Sequence, residues 1–184
     1  MANLTISGVR FSYVHVFEPY DISNSGKEPK FSVQVIIPKS NKKALKQIDE
    51  ALEATKKDEK TLKKFGGKIP KNLKTFLRDG DIEREDKPEY ANCYFFNASS
   101  TNRPNVVDMT REPIVDPNEF YSGCWGAFNG ATFAYSTQGS NGISVGLNNL
   151  MKMREDKRLG GGGLSAEAAF ADIKDDDEDL AGLL

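Results

Sequence analysis

Helical periodicity is confined to one segment of this 184-residue chain, residues 40–66, and this constrains the fold more than any other feature. Segments in which apolar and polar side chains alternate, as on a half-buried strand, occupy much of the remaining sequence. The clearest of them is 31–37, which Pro38 ends. One helical insertion among short strands predicts a mainly β fold, either a small barrel or a sandwich.

The inserted segment is predicted to form two helices. Ser40 is a suitable N-cap for a first helix that extends to about Lys57. The apolar stripe of this helix is narrow and consists of Leu45, Ile48 and Leu52. A second, short helix is expected from Glu59 to Phe65, because the two glycines that follow are a common helix C-terminal signal.

The other elements are predicted from alternation and turn residues. The first strand, from Leu4 to Tyr13, changes its apolar phase at Gly8, as a β-bulge would make it do, and a loop is expected over 14–29. Further strands are predicted at 90–98, 106–109, 120–128, 131–136 and 142–147. Two hairpin turns are predicted, at Asn129-Gly130 and at 138–142.

The composition changes after residue 159. A run of four glycines begins at Gly160, and the last thirteen residues hold six carboxylates and one lysine. This tail has a charge of about −5 in a chain of net charge −2, so the body carries about +3. Such an acidic run repels itself and buries too little apolar surface to fold. We therefore predict a folded domain over 1–159 and a disordered acidic tail over 160–184.

Several function classes are not indicated by the sequence. The chain has one histidine, His15, and neither a CxxC pair nor a P-loop, so we expect no metal, no cofactor and no catalytic site. Cys93 and Cys124 lie among aromatic residues and are expected to be reduced and mostly buried. No segment reaches the roughly 20 apolar residues of a membrane span, and no signal peptide is recognised. A soluble cytoplasmic protein is therefore expected.

Aromatic side chains are dense in the strand segments, and basic side chains lie near them or at loop tips. Exposed rings on strands stack bases, and cations contact phosphates, so this combination favours binding of a nucleic acid. The stacking candidates are Tyr13, Phe17, Tyr94, Phe96, Trp125 and Phe128. The phosphate candidates are Lys30, Arg84, Lys87, Arg103, Arg111, Lys152 and Arg154.

Three segments of the C-terminal third resemble bacteriophage single-stranded DNA-binding proteins of the OB-fold kind. They are Tyr121-Ser-Gly-Cys-Trp-Gly-Ala-Phe128, Gly142-Ile-Ser-Val-Gly-Leu-Asn-Asn-Leu150 and Arg158-Leu-Gly-Gly. The segment 8–13 and the strand 31–38 before a lysine-rich helix are similar to that family as well. The resemblance implies a five-stranded OB barrel that binds single strands without strong sequence preference, in phage replication or recombination and in the cytoplasm of the infected host. Whether Trp125 stacks a base or fills the barrel stays open.

Two functions are expected for the acidic tail. Its carboxylates imitate phosphates, so we expect the tail to compete with DNA, and the family resemblance implies that it recruits a replication protein such as a polymerase, helicase or primase. The residues expected to act in this way are Asp175, Asp176, Asp177, Glu178, Asp179, Leu183 and Leu184. Whether the protein is a monomer or a dimer stays open.

Three other functions remain open at this point. The first is a protein that anneals complementary strands during recombination. The second is a metal-dependent nuclease that would use Asp79, Asp81 and Glu83, although Gly80 and Pro88 indicate a solvated turn there. The third is a virion or assembly protein whose tail only confers solubility. Residues 39–78 carry a charge of about +8, which suits either phosphate contact or a solvated helix face.

Overall fold

A computed structural model describes residues 1–21, 24, 26–160, 166–171 and 173. The strands are β1 (Ala2–Tyr20), β2 (Lys30–Pro38), β3 (Arg78–Asp79), β4 (Cys93–Ser100), β5 (Asn105–Val107), β6 (Trp125–Thr137) and β7 (Ser140–Arg154). The helices are α1 (Lys42–Lys57), α2 (Glu59–Lys64), α3 (Gly80–Glu83) and α4 (Ala166–Ala169), and a 3-10 turn covers Pro88–Tyr90. The seven tail residues predicted to bind partners, Asp175, Asp176, Asp177, Glu178, Asp179, Leu183 and Leu184, lie outside the described residues.

Five strands close into a barrel in the order β4-β2-β1-β6-β7, and β7 returns to β4. Neighbouring strands are antiparallel except at this closure, where β4 and β7 meet in parallel at Ser99 and Gly146. The helices α1 and α2 contact β6, and α1 also packs on β1. The prediction of a mainly β, OB-fold-like barrel with a helical insertion is confirmed.

β1 is long because it bends between two partners. Its first half pairs with β6, and its second half pairs with β2. The predicted bulge is confirmed, since Gly8 has a φ of 70° at a shift in the β1–β6 register. The predicted loop over 14–29 was wrong for residues 14–20, because His15 lies opposite Ser32 and Tyr20 lies opposite Lys30. These long-range pairings override the local turn composition.

The predicted turn at Asn129-Gly130 was wrong as well, because both residues lie within β6. A Cβ placed on Gly130 would lie 2.7 Å from Cζ of Phe128 and closer still to the carbonyl oxygen of Gly146. The glycine therefore permits close packing and does not mark a turn. The three predicted C-terminal strands are in fact two, β6 and β7, and the hairpin between them turns at 138–139.

The helical insertion is attached to the bulge of β1. The N-cap of α1 is Asn41, one residue later than predicted, and its side chain accepts a hydrogen bond from the Ala44 amide at 3.2 Å. Its amide nitrogen donates to the carbonyl oxygens of Ser7 (2.9 Å) and Gly8 (3.1 Å). The bulge and the helix start therefore stabilise each other.

The core has two parts, one inside the barrel and one on its outer side. The outer cluster contains Ile36, Tyr90, Cys93 and Phe95, with Leu159 packed against it. Because this cluster covers the outer side of β2, residues 32–37 are all buried despite their alternating sequence. Both cysteines are buried, as predicted.

Two predicted stacking residues belong to the inner core. Phe96 and Phe128 are completely buried, and their rings meet edge to face with 5.2 Å between centroids. The prediction that these two rings stack bases was wrong, because neither ring reaches the surface of the barrel.

Candidate nucleic-acid interface

An open groove of about 650 Å³ runs beside the second half of β1. Tyr13, Lys87, Tyr121 and Arg158 are among its lining residues, and Phe17 lies at one end. A second groove of about 330 Å³ shares Phe17 and continues past Arg103 to β5. We call the two together the aromatic groove.

The ring of Tyr13 enters the groove because of a distortion in β1. Tyr13 has a φ of 46° where the β1–β2 register shifts, and 49% of its surface is exposed. The Lys87 ammonium donates a hydrogen bond to the Tyr13 hydroxyl at 2.8 Å and lies 5.5 Å from the ring centroid. This hydrogen bond raises the pKa of Lys87, so the lysine is charged at neutral pH.

The other two rings of the groove have basic neighbours as well. The guanidinium of Arg103 lies 5.9 Å from the centroid of Phe17. Tyr121 has Arg158 at 4.4 Å and Lys152 at 5.5 Å from its centroid. Each ring is therefore paired with a cation at cation–π distance. A nucleotide whose base lies on such a ring has its phosphate within reach of the neighbouring cation.

One wall of the groove is formed by Arg158 and Leu159. They belong to residues 155–159, which we call the C-terminal strap. Arg10 binds this strap, since its Nε donates to the Gly123 carbonyl at 2.9 Å and its Nη2 to the Lys157 carbonyl at 2.8 Å. Gly123 has a φ of 122°, and a Cβ there would overlap the Lys157 carbonyl and lie 3.1 Å from Cα of Arg158. The strap therefore lies directly on the loop before β6.

Asp156 completes the attachment of the strap. Its carboxylate accepts a hydrogen bond from the Trp125 indole nitrogen at 2.8 Å and lies 3.5 Å from Arg10. The indole hydrogen bond, aided by the charges of Arg10 and Arg154, lowers the pKa of Asp156. The Tyr121 hydroxyl donates to the backbone carbonyl of Asp156 at 3.0 Å, so the strap also fixes a ring of the groove.

Trp125 lies on the outer side of the barrel, half-buried, and does not fill its interior. Two guanidinium groups lie near its ring, that of Arg154 at 4.5 Å and that of Arg10 at 5.8 Å from the centroid. Trp125 does not line the groove, but it hydrogen-bonds to Asp156, whose backbone carbonyl accepts a hydrogen bond from the groove residue Tyr121. Trp125 therefore does not fill the barrel, and the stacking of a base on its ring stays a prediction.

The predicted residues separate into two groups. The groove brings together Tyr13, Phe17, Lys87 and Arg103, with Lys152 beside Tyr121. The remaining six candidates outside the core do not line it. They are Trp125, Tyr94 beside Lys39, Arg84 over Phe95, Lys30 opposite Tyr20, Arg111 in the loop before β6, and Arg154 near Trp125.

Sequence reasoning missed Tyr121 and Arg158 as site residues. Both lie in the segments that carry the family resemblance, which was the available signal. Arg10 was missed because a single arginine on a strand has no distinguishing pattern. Its role depends on carbonyl groups 113 and 147 positions away.

The acidic residues of the nuclease alternative are bound to cations of the protein. Lys39 pairs with Asp79 at 2.9 Å and with Asp81 at 2.8 Å, and these contacts raise the lysine pKa. Glu83 pairs with Arg78 at 2.9 Å. Within the described part of the chain, no group of three or more His, Cys, Asp or Glu is arranged to hold a metal ion. The arrangement does not favour a metal-dependent nuclease.

A second feature lies on the outer face of β2 and β4. In OB-folds, oligonucleotides bind across the second and third barrel strands, which here are β2 and β4. Asn97 and Ser99 are exposed on this face, and the buried Ser32 hydroxyl has no hydrogen-bond partner among the described residues. The open part of this face is thus polar and made of small side chains.

No helix of the described ranges is long and apolar enough to cross a membrane.

The sequence matches a family model described as "Enterobacter phage Enc34, ssDNA-binding protein" over residues 2–181. No curated protein matches the chain.

The chain is similar to three solved structures. The single-stranded DNA-binding protein from bacteriophage Enc34 in complex with ssDNA has 32% identity and a TM-score of 0.74, with 86% of this chain and 90% of that chain covered. A second structure of the single-stranded DNA-binding protein from bacteriophage Enc34 has 30% identity and a TM-score of 0.70, with 92% of this chain and 90% of that chain covered. The gp2.5 single-stranded DNA-binding protein of bacteriophage T7 has 12% identity and a TM-score of 0.58, with 95% of this chain and 96% of that chain covered. At this low identity the similarity shows a shared fold alone.

Proposed function

The chain belongs to the Enc34 family of phage single-stranded DNA-binding proteins, and from this premise we propose that it binds single-stranded DNA along the aromatic groove. The observation that supports this site is the pairing of each groove ring with a cation, at 4.4 to 5.9 Å from the ring centroid. Base stacking and phosphate contact carry little sequence information, so we expect binding without strong sequence preference. The protein would act in phage DNA replication or recombination, in the cytoplasm of the infected host, without catalysis.

The roles of the groove residues follow from their chemistry. Tyr13, Phe17 and Tyr121 would stack bases, each contributing roughly 1–3 kcal/mol. Lys87, Arg103, Lys152 and Arg158 would contact phosphates and release counterions. Arg10 and Asp156 would act indirectly, because they hold the strap that carries Arg158.

The groove site is tested by fluorescence anisotropy with a labelled oligo(dT). We expect Tyr121→Ala and Tyr13→Ala each to weaken binding about tenfold, which corresponds to the loss of one stacked base. Tyr94→Ala is the matched control, since its ring is also half-buried but lies beside Lys39, outside the groove lining. Equal losses in all three variants would refute the assignment of the groove.

We further propose that the acidic tail competes with DNA for this groove. Leu159 packs on the outer cluster and its amide donates to the Ser122 carbonyl at 2.8 Å, which supports a domain boundary after residue 159. Gly160 lines the groove, so the tail begins at its rim. A flexible coil of the length of 161–184 has an r.m.s. span of roughly 25–30 Å, and tethering gives an effective concentration on the order of mM.

Tail deletion separates competition from recruitment. Removing residues 172–184 should tighten oligo(dT) binding, most at low salt, because about five negative charges are lost. The control Leu183→Ala/Leu184→Ala keeps those charges and should bind DNA normally while it loses a replication protein such as a polymerase, helicase or primase. Identical DNA affinities with and without the tail at every salt concentration would contradict competition.

A further inference from the structure

We propose a second surface for single-stranded nucleic acid at α2, remote from the aromatic groove. Residues 56–74 contain eight lysines and two carboxylates. Both carboxylates are already paired, Asp58 with the N-terminal amine at 2.9 Å and Glu59 with Lys63 at 3.1 Å. Six lysines of the segment form no ion pair with a described carboxylate; they are Lys57, Lys60, Lys64, Lys68, Lys71 and Lys74.

An exposed ring lies among these lysines. Phe133 is 40% exposed and, with Lys60, Lys64 and Met1, lines an open pocket of about 320 Å³. Lys60 and Lys64 are one helical turn apart on α2 and therefore share a face. The Lys64 ammonium donates to the carbonyl of Ala134, the residue after Phe133, at 2.9 Å. An accessible ring in a pocket that is also lined by lysines suits a nucleotide, whose base stacks and whose phosphate pairs with lysine.

The two surfaces lie at different positions along β6 and share no lining residue. Trp125, beside the groove, begins this strand, and Phe133 follows eight positions later. At about 3.3 Å per residue the path along the strand between these positions is about 26 Å, which is the upper limit of their separation. A single strand in the groove therefore leaves Phe133 accessible, and one molecule can contact two strands at once. The lysines would offset the repulsion between those strands, which is the requirement for annealing.

The lining of the pocket favours nucleic acid over the acidic tail of the chain. The leucine end of the tail would require an enclosed apolar pocket. Here the apolar part is limited to Phe133, Ala134 and Met1, and the rest is Asp58, Lys60, Thr61 and Lys64. We therefore assign this surface to a second single strand.

The test is a two-strand capture assay with the full-length protein. Tethered oligo(dT) is saturated with protein, and a second, labelled oligo(dT) is added, which cannot base-pair with the first. The key variants are Lys60→Gln/Lys64→Gln and Phe133→Ala. The matched control is Lys42→Gln/Lys43→Gln, which removes the same charge from exposed positions in the first turn of α1.

We expect the wild-type protein and the control to capture the second strand equally. Phe133→Ala should weaken binding of the second strand about tenfold. Lys60→Gln/Lys64→Gln should make the slope of log Kobs against log salt concentration for the second strand less steep by about 1.4, because two phosphate contacts are lost. Affinity for the first strand, titrated separately, should change less than about twofold in every variant. The first titration reports the aromatic groove, and the capture step reports the second surface.

Three outcomes would overturn the proposal. One is a wild-type protein that binds the first strand and captures no second strand. Another is second-strand capture by Lys60→Gln/Lys64→Gln that equals the wild type. The third is a wild-type protein that captures no second strand but binds a synthetic peptide of residues 172–184, with that binding abolished in Phe133→Ala. This result would assign the surface to the tail. The second surface can also be tested if the aromatic groove fails to bind DNA. In that case oligo(dT) is titrated directly into the Tyr121→Ala protein and into the same protein with Lys60→Gln/Lys64→Gln added. Equal affinities of these two proteins would overturn the proposal.

Discussion

Arg158→Gln should reduce the salt dependence of single-stranded DNA binding by a calculable amount. Four cations lie beside the rings of the aromatic groove: Lys87, Arg103, Lys152 and Arg158. For single strands, each phosphate contact contributes about −0.7 to the slope of log Kobs against log salt concentration, so four contacts give a slope of about −2.8. Affinity should then fall about 50-fold between about 50 and about 200 mM salt.

Removal of one contact changes that slope measurably. Arg158→Gln should give a slope of about −2.1, and affinity should fall only about 20-fold over the same range. The substitution keeps much of the aliphatic stem that packs on Tyr121, so the change reports mainly the charge. The assay is an anisotropy titration of labelled oligo(dT) at several salt concentrations.

Arg111→Gln is the control for this experiment. Arg111 is exposed in the loop before β6, has a φ of 69°, and does not line the groove. The same charge change there should leave the slope at its wild-type value. If Arg158→Gln keeps the wild-type slope, or Arg111→Gln lowers it equally, Arg158 does not contact a phosphate and the strap is not a wall of the binding site.

Three further predictions concern the fold and the strap. Gly130→Ala should lower the free energy of unfolding by about 1–3 kcal/mol, because the added methyl overlaps the carbonyl oxygen of Gly146 and meets the ring of Phe128. Urea denaturation with unchanged stability would contradict this packing. Asp156→Asn should weaken oligo(dT) binding while the far-UV circular dichroism stays unchanged, and normal affinity would show that the strap needs no ion pair. The pKa of Asp156 is lowered in the folded protein, so its contribution to stability is present above the unfolded pKa of about 3.9 and is lost as the pH falls through the folded pKa. Trp125 emission should therefore change in acid in the wild type, because the indole loses its carboxylate acceptor. An identical change in Asp156→Asn would contradict the role of the Asp156 carboxylate.

Much of the local structure was predictable because it depends on residues close in sequence. The bulge at Gly8 followed from a change in apolar phase, and α1 and α2 followed from a helical stripe and a pair of glycines. Where a prediction failed, a distant contact decided the structure. The second half of β1 is a strand because β2 pairs with it, and Gly130 serves close packing with β7 instead of a turn.

The candidate site shows the same division. The sequence by itself determined that aromatic and basic side chains are dense and that the body is basic beside an acidic tail. It named Tyr13 and Phe17 among six stacking candidates, and only the structure places these two rings in the groove. Only the tertiary structure decided that Phe96 and Phe128 are core residues, because a strand pattern shows alternation but not which of its faces is covered.

The wall of the groove also came from the tertiary structure alone. Arg158 lies over Tyr121 because Arg10, from the first strand, holds the carbonyl groups of Gly123 and Lys157 in place. These hydrogen bonds join groups 113 and 147 positions apart, and backbone carbonyls are present at every residue. No sequence pattern marks which carbonyl an arginine will bind, so this part of the site exists only once the barrel has closed.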